Sequence, residues 1–202
     1  VSRPYLSIEQ EQDGDLLTFR PESGAGDLAL FQPPDGALTK AREIELVLRT
    51  EGSVTLGVFS RAAAWGEMAY LVFFSPESDG TARLHLAKPP LQLSQRIGDG
   101  HIANKHVKGI YEDGKWYALR IKMQDVGDDT VDWSAELVHL DDDQAILSVA
   151  GEDSGNVITD AALLGLRFYC GERGSVLPFC LPALGVKDAA GNLGHRCEEN
   201  HY

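Results

Sequence analysis

No apolar run in the sequence approaches the roughly 20 residues that a membrane-crossing helix needs. No segment has the 3.6-residue periodicity of a convincing amphipathic helix. The chain begins at Val1 with neither a basic n-region nor an apolar h-region, as expected of a processed protein or a domain cut from a longer one. Basic residues are scarce: 18 Lys and Arg stand against 31 Asp and Glu, a net charge of -13. That balance argues against nucleic acid and anionic membrane as partners, since both demand a basic footprint. It leaves room for a local basic patch that binds an acidic sugar. Only three cysteines occur, Cys170, Cys180 and Cys197, and an odd count fixes no disulfide framework. In an exported protein Cys170 and Cys180 could bridge a hairpin, with Cys197 free or partnered elsewhere; in a cytosolic one all three are thiols. No C-x-x-C pair exists, which counts against a zinc knuckle or a thioredoxin-like motif. A G-x-S-x-G nucleophile elbow is also missing. Gly24-Ala25-Gly26 and Gly98-Asp99-Gly100 precede no helix, so they read as turns rather than phosphate cradles.

What the chain does have is alternation. Its 202 residues, 43% of them hydrophobic, suffice for one sizeable core. The clearest segment is 113–123 (DGKWYALRIKM). An Asp-Gly turn opens it, and Tyr117, Leu119, Ile121 and Met123 then alternate with Trp116, Ala118, Arg120 and Lys122, giving a strand with one apolar and one polar face. The same period marks 43–49 (EIELVLR), 54–60 (VTLGVFS), 82–87 (ARLHLA), 131–140 (VDWSAELVHL) and 163–170 (LLGLRFYC). In the penultimate one Trp133 falls with Val131 and Leu137 and belongs to the core. Segment 68–74 (MAYLVFF) is almost unbroken hydrophobe, as in a strand covered on both sides. Weaker strands are expected near 5–8, 15–20, 28–32, 91–97, 145–149 and 177–186. Gly57 inside its strand predicts a bulge or a close approach. Segments 98–109 (GDGHIANKHVKG) and 151–156 read as exposed loops, and 171–174 as a turn. About a dozen short strands with turns every 8 to 15 residues give an all-β chain, a two-sheet sandwich or a barrel. Residues 1–187 form a single domain, followed by a polar tail at 188–202.

The order of these strands resembles a known superfamily. An aromatic strand (AYLVFF), an R-x-H strand (ARLHLA), a polar loop, a tryptophan strand (GKWYALRIKM), an acidic hairpin into WSAELVHL and a closing GLRFYC strand follow one another. Over residues 15 to 187 this is similar to the concanavalin A-like, or laminin G-like, jelly rolls. The resemblance implies two antiparallel sheets, one concave, with glycans often bound on the concave face or rim. It also spans lectins, carbohydrate-binding modules, glycan lyases, glycoside hydrolases and structural modules, so function must be argued from the site.

The catalytic signatures of that superfamily are absent. Glycoside hydrolysis needs two carboxylates across a cleft, and the glucanase branch carries them as E-x-D-x-E. The nearest match, Glu43-Ile44-Glu45, reads as the wet face of an ordinary strand. The lyase branch's R-x-E-x-R, Q-I-H and Y-x-K-x-G-x-Y segments are missing. His101, Asn104, Lys105 and His106 remain as a base and charge neutraliser for a lyase.

Sugar binding needs an aromatic platform flanked by polar groups. Trp65 sits in a turn, and Trp65-Gly66-Glu67 is similar to the W-G-x-E segment of galectins, without the upstream H-x-N-x-R. Trp116 points outward if Tyr117 points inward. On a concave sheet that would turn Trp116, Arg120, Arg167 and Tyr169 toward a ligand; the alternative is surface ion pairs for the arginines. Arg96, Asp99, His101 and Asn104 would line a rim. Calcium is the one candidate cofactor. Asp125, Asp128, Asp129 and Asp132, and then 141–143, cluster at strand ends, with Asp141 and Asp143 as the candidate ligands. The spacing matches no EF-hand loop, and aspartates favour turns without any metal. The reading is a secreted or extracytoplasmic, lectin-like β-sandwich that recognises an oligosaccharide or polysaccharide, with no nucleic-acid partner and no membrane insertion, able to serve as one module of a larger chain. A glycan-active hydrolase or lyase is the first alternative and a structural or protein-interaction module the second.

Overall fold

The computed structural model describes residues 6–11, 14–19, 26–31, 43–52, 54–62, 67–90, 100–158, 163–169 and 173–176. These residues form strands and no helix: β1 (Leu6–Glu11), β2 (Gly14–Phe19), β3 (Gly26–Phe31), β4 (Glu43–Glu51), β5 (Thr55–Ala62), β6 (Tyr70–Pro76), β7 (Ala82–Ala87), β8 (His101–Val107), β9 (Tyr117–Asp125), β10 (Val131–His139), β11 (Gln144–Asp153), β12 (Leu163–Tyr169) and β13 (Arg173–Val176). A seven-stranded sheet runs β1-β2-β13-β4-β9-β10-β11, and a six-stranded sheet runs β3-β12-β5-β6-β7-β8. Each neighbouring pair in these sheets is antiparallel. The fold is thus an all-β, two-sheet antiparallel sandwich of jelly-roll type.

Alternation in the sequence becomes the core. Tyr117, Leu119, Ile121 and Met123 of β9 face inward beside Ile44, Leu46 and Leu48 of β4 and Val131, Trp133, Ala135 and Leu137 of β10. The six-stranded sheet meets them with Leu56, Val58, Tyr70, Val72, Phe74, Leu84 and Leu86. Each large apolar side chain buried there contributes about 1.5–3 kcal/mol. Trp133 sits in this core, edge-on to Tyr70 with ring centroids 5.0 Å apart. Strand β9 lies between β4 and β10, so the segment with the cleanest period is also a central strand.

Several boundaries differ from expectation. The polar stretch at 98–109 is not all loop: β8 occupies His101–Val107 and, among the described residues, is an edge strand paired only to β7. An edge strand tolerates His, Asn and Lys because one side of its backbone meets water, so its composition masks the strand. Only Ile102, Ala103 and Val107 pack toward the core. Strand β11 runs on to Asp153 and takes the first half of the expected loop at 151–156, while 154–156 are not strand. Residues 173–174, read as part of a turn, open β13. The weak strands expected at 91–97 and 177–186, all three cysteines and the tail at 188–202 lie outside the described residues.

One corner is fastened by charge. Lys88, just past β7, donates through Nζ to Asp153 Oδ2 at 2.5 Å and to the carbonyls of Gly155 and Asn156. Tyr70 donates its hydroxyl to the same carboxylate oxygen at 2.8 Å and accepts the Ile158 N–H. The Lys88 and Asp153 side chains are only 14% and 11% exposed. Burial pushes the Asp153 carboxyl upward, but the hydrogen bonds from Lys88 and Tyr70 outweigh it and hold the group below its ordinary range. This clasp joins β6 and the end of β7 to the end of β11, and so ties one sheet to the other.

Candidate functional site

Leu84 and Leu86 point into the core, so pleating turns Arg83, His85 and Ala87 to the opposite side of the six-stranded sheet. Register then stacks outward positions into rows. Gly57, Phe73, His85 and Asn104 form one row across β5, β6, β7 and β8. Phe59, Leu71, Ala87 and His101 form the next, and Ser75, Arg83 and His106 a third. A register shift between Leu86 and Ala87 takes up the extra residue of β8 and brings His101 onto this face.

Gly57 has a definite role in this arrangement. A Cβ there would lie 3.1 Å from Leu71 Cδ1 and 3.2 Å from Phe73 Cε1. Close approach, rather than a bulge, explains this glycine: its bare backbone lets both side chains lean across β5. Phe59, Leu71 and Phe73 are buried, although they belong to the outward side and not to the core between the sheets. Among the described residues of β5 to β8, the exposed part of this face is its β8 end, where His101, Asn104 and His106 are exposed.

There the polar groups are linked. His101 Nδ1 lies 2.8 Å from His85 Nε2, and the two rings meet edge to face with centroids 4.8 Å apart. Asn104 Nδ2 stands 3.5 Å from His101 Nε2. An amide N–H donating to Nε2 sets the proton of His101 on Nδ1, from which it donates to His85. His85 is buried and packs near Phe73. Burial, followed by the charges of His101 and Arg83, lowers its pKa from the ordinary 6.5. Arg83 Nη2 donates to Glu77 Oε1 at 3.1 Å, with both side chains nearly half exposed. The assembly offers ring nitrogens, an amide and a guanidinium at one edge, a set suited to hydrogen-bonding a polar ligand.

The depressed pKa has a consequence for stability. Between the folded value and 6.5 the unfolded chain binds the proton more readily. The His85 contribution is therefore complete above pH 6.5 and is lost as the pH falls through the folded value. Protonation of His85 also removes the acceptor that the His101 Nδ1–H uses. Thermal melts from pH 7.5 to pH 5 are expected to decline more steeply for the native protein than for His85→Gln; parallel slopes would rule the coupling out.

The residues singled out from sequence do not form one cluster. His101 and Asn104 share the edge just described. Arg167 and Tyr169 lie on β12 of the same sheet, opposite Gly57 and Thr55 in register. Trp116 and Arg120 belong to the other sheet. Trp116 immediately precedes β9 and is half-buried under the Arg49 guanidinium, 4.6 Å from the ring centroid. Arg120 donates from Nε to Glu45 Oε2 and from Nη2 to Asp143 Oδ1, both at 2.6 Å. This is the ion-pair arrangement, and it engages both the guanidinium and the Asp143 carboxylate. Asp141 Oδ2 lies 3.9 Å from His139 Nδ1. Among the described residues no three His, Cys, Asp or Glu side chains are grouped to hold a metal ion. Trp65, Arg96 and Asp99 lie outside the described residues. Sequence reasoning passed over His85 and Phe73, although Arg83-Leu84-His85 between two inward leucines already placed His85 on the outward side.

A second feature lies on the outward face of the seven-stranded sheet. Asp132 and Glu152 stand directly opposite each other on β10 and β11. They line an open hollow with Gln124 and Ser134.

No family model and no curated protein matches the sequence. Solved structures do. A legume lectin-like domain from Entamoeba histolytica matches at 12% identity over 85% of this chain and 84% of its own, with a TM-score of 0.54. The carbohydrate binding module CBM66 from Bacillus subtilis is 13% identical over 85% and 88%, with a TM-score of 0.49. The marine PL-14 alginate lyase from Aplysia kurodai is 12% identical over 84% and 86%, with a TM-score of 0.42. At these identities the likeness concerns the fold, and the lectin-like match carries it: the chain has the two-sheet jelly roll of concanavalin A-like proteins.

Proposed function

We propose that the protein is a lectin-like carbohydrate-binding β-sandwich, exported from the cytoplasm, which holds an oligosaccharide or polysaccharide at the β7–β8 end of the six-stranded sheet. The observation that carries this reading is the linked set His85, His101 and Asn104 on an exposed edge of a rigid sheet. Hydroxyl-rich ligands are recognised by such fixed donors and acceptors on preformed elements. The outward positions of β5 to β8 hold no Asp or Glu among the described residues, so the carboxylate pair of a glycoside hydrolase is not available there. Binding without hydrolysis is the expected outcome at this edge. The fold alone does not choose among functions; the lectin-like match is compatible with this one.

A second reading, a glycoside hydrolase, rests on Asp132 and Glu152 facing each other across a hollow of the other sheet. One experiment separates the two. The full chain is screened on a glycan array with and without calcium, and each glycan bound is analysed for products by mass spectrometry. Binding with intact glycan is the expected result, and shortened products would favour the second reading. No binding to any glycan would overturn the proposal and shift weight to a structural module. Loss of binding on chelation would assign calcium a part in it.

A further inference from the structure

We propose that the ligand at the β7–β8 edge is an anionic glycan, bearing carboxylate or sulfate groups. This rests on the glycan-binding reading above and adds the charge of the ligand to it. The argument is the way charge divides between the two outward faces.

The chain carries a net charge of -13, and the outward side of the seven-stranded sheet reflects it. Glu43, Glu45, Asp132, Glu136 and Glu152 lie there against Arg49, Arg120 and Lys122. The outward positions of β5 to β8 are the reverse. Arg83, His85, His101 and His106 stand there with Asn104, and no carboxylate shares the described positions. Arg167 is in register with the same row, opposite Gly57. In so acidic a protein, a patch with five nitrogen-bearing side chains on two neighbouring strands, and Glu77 at its margin, marks a place where negative charge is accepted.

The chemistry suits carboxylate and sulfate oxygens. Arg83 presents a planar fork of donors. Its partner Glu77, just past β6, pairs with it at 3.1 Å with both groups nearly half exposed, and such exposed pairs are weak enough for a ligand oxyanion to displace. His106, exposed beside Arg83, adds a ring N–H donor. Among the described residues the groups facing the histidine rings are Arg83 on β7, Glu77 just past β6, Asn104 and His106 on β8, and Phe73 and Ser75 on β6; Thr55 and Gly57 of β5 carry no charge. The overall negative charge does not forbid the contact. At physiological salt it is screened beyond about 8 Å, while direct hydrogen bonds persist.

The test uses matched probes that differ only in charge, titrated calorimetrically into the full chain at 0.15 M salt, at pH 6.0 and pH 7.5. Oligogalacturonate is compared with its methyl ester, and dextran sulfate with dextran. The charged member of at least one pair is expected to bind about tenfold or more tighter than its neutral partner. Which pair responds tells carboxylate from sulfate. The double variant Arg83→Gln/His106→Gln alters exposed side chains, and its melting curve verifies folding. It is expected to lose most of the charge preference while any weak neutral binding stays. Equal binding within both pairs, or a charge preference that survives the double variant, would overturn the proposal and leave the glycan reading standing. If none of the four binds, the anionic proposal fails, and the glycan array decides separately whether the underlying reading fails with it.

Discussion

Gly100→Ala is expected to destabilise the fold by about 3 kcal/mol and to dislodge the histidine pair. Gly100 has φ +65°, a left-handed conformation that costs an L-residue roughly 1–2 kcal/mol. The rest of the penalty is steric. A Cβ there would lie 2.6 Å from the carbonyl carbon of Lys88, closer still to its oxygen, and 3.1 Å from the Pro89 nitrogen. These are backbone atoms with no rotamer to escape into. The same turn is closed by the Lys88 N–H donating to the Gly100 carbonyl at 2.8 Å, so relieving the clash breaks that bond. His101 follows directly, and its approach to His85 depends on where β8 begins. Chemical denaturation is expected to show the loss of stability, and glycan affinity should fall with it. A variant within 0.5 kcal/mol of the native protein would mean that the turn can open without cost.

Lys88→Met is expected to cost on the order of 2–4 kcal/mol near neutral pH. Removing one partner of a buried ion pair strands the other charge, an effect of about 3–5 kcal/mol in full burial. The lower figure here reflects the partial exposure of both groups. In the native protein the lowered pKa of Asp153 means that its contribution is present above its ordinary value and lost as the pH falls through the folded value. The Lys88→Met defect should therefore shrink toward acid, where Asp153 can take up a proton. Adding Asp153→Asn to Lys88→Met replaces a stranded charge by a neutral amide that Tyr70 can still reach. The double variant should recover at least half of the loss in a thermodynamic cycle; no recovery would show that the pair is not the source of the defect. Lys88 supplies both this ion pair and the backbone bond to Gly100, so Gly100 and Lys88 variants are not expected to be additive.

The fold could be read where burial forces a period. EIELVLR, ARLHLA and YALRIKM each bury one face, and each became a strand within a few residues of its expected bounds. The candidate site was harder to read for a physical reason. An edge strand has only one paired neighbour, and half of its side chains face water, so β8 lacks the pattern that marks a buried strand. His101 and Asn104 were recognised as candidates by residue type, but their partner His85 was hidden inside a strand whose other members are core. Trp116 and Arg120 looked like ligand groups because they point outward. Outward is a property of both sheets, and only the strand order shows that these two belong to a different face from His101. Which carboxylates would reach Arg120 was equally invisible, since Glu45 is 75 positions away in sequence.

The location of the site is tested most directly by following backbone and imidazole resonances of the isotopically labelled chain while a glycan that binds on the array is added. The shifts are expected to concentrate on Arg83, His85, His101, Asn104 and His106. Shifts centred instead on Arg120, Asp132 and Glu152 would contradict the account and move the site to the other sheet.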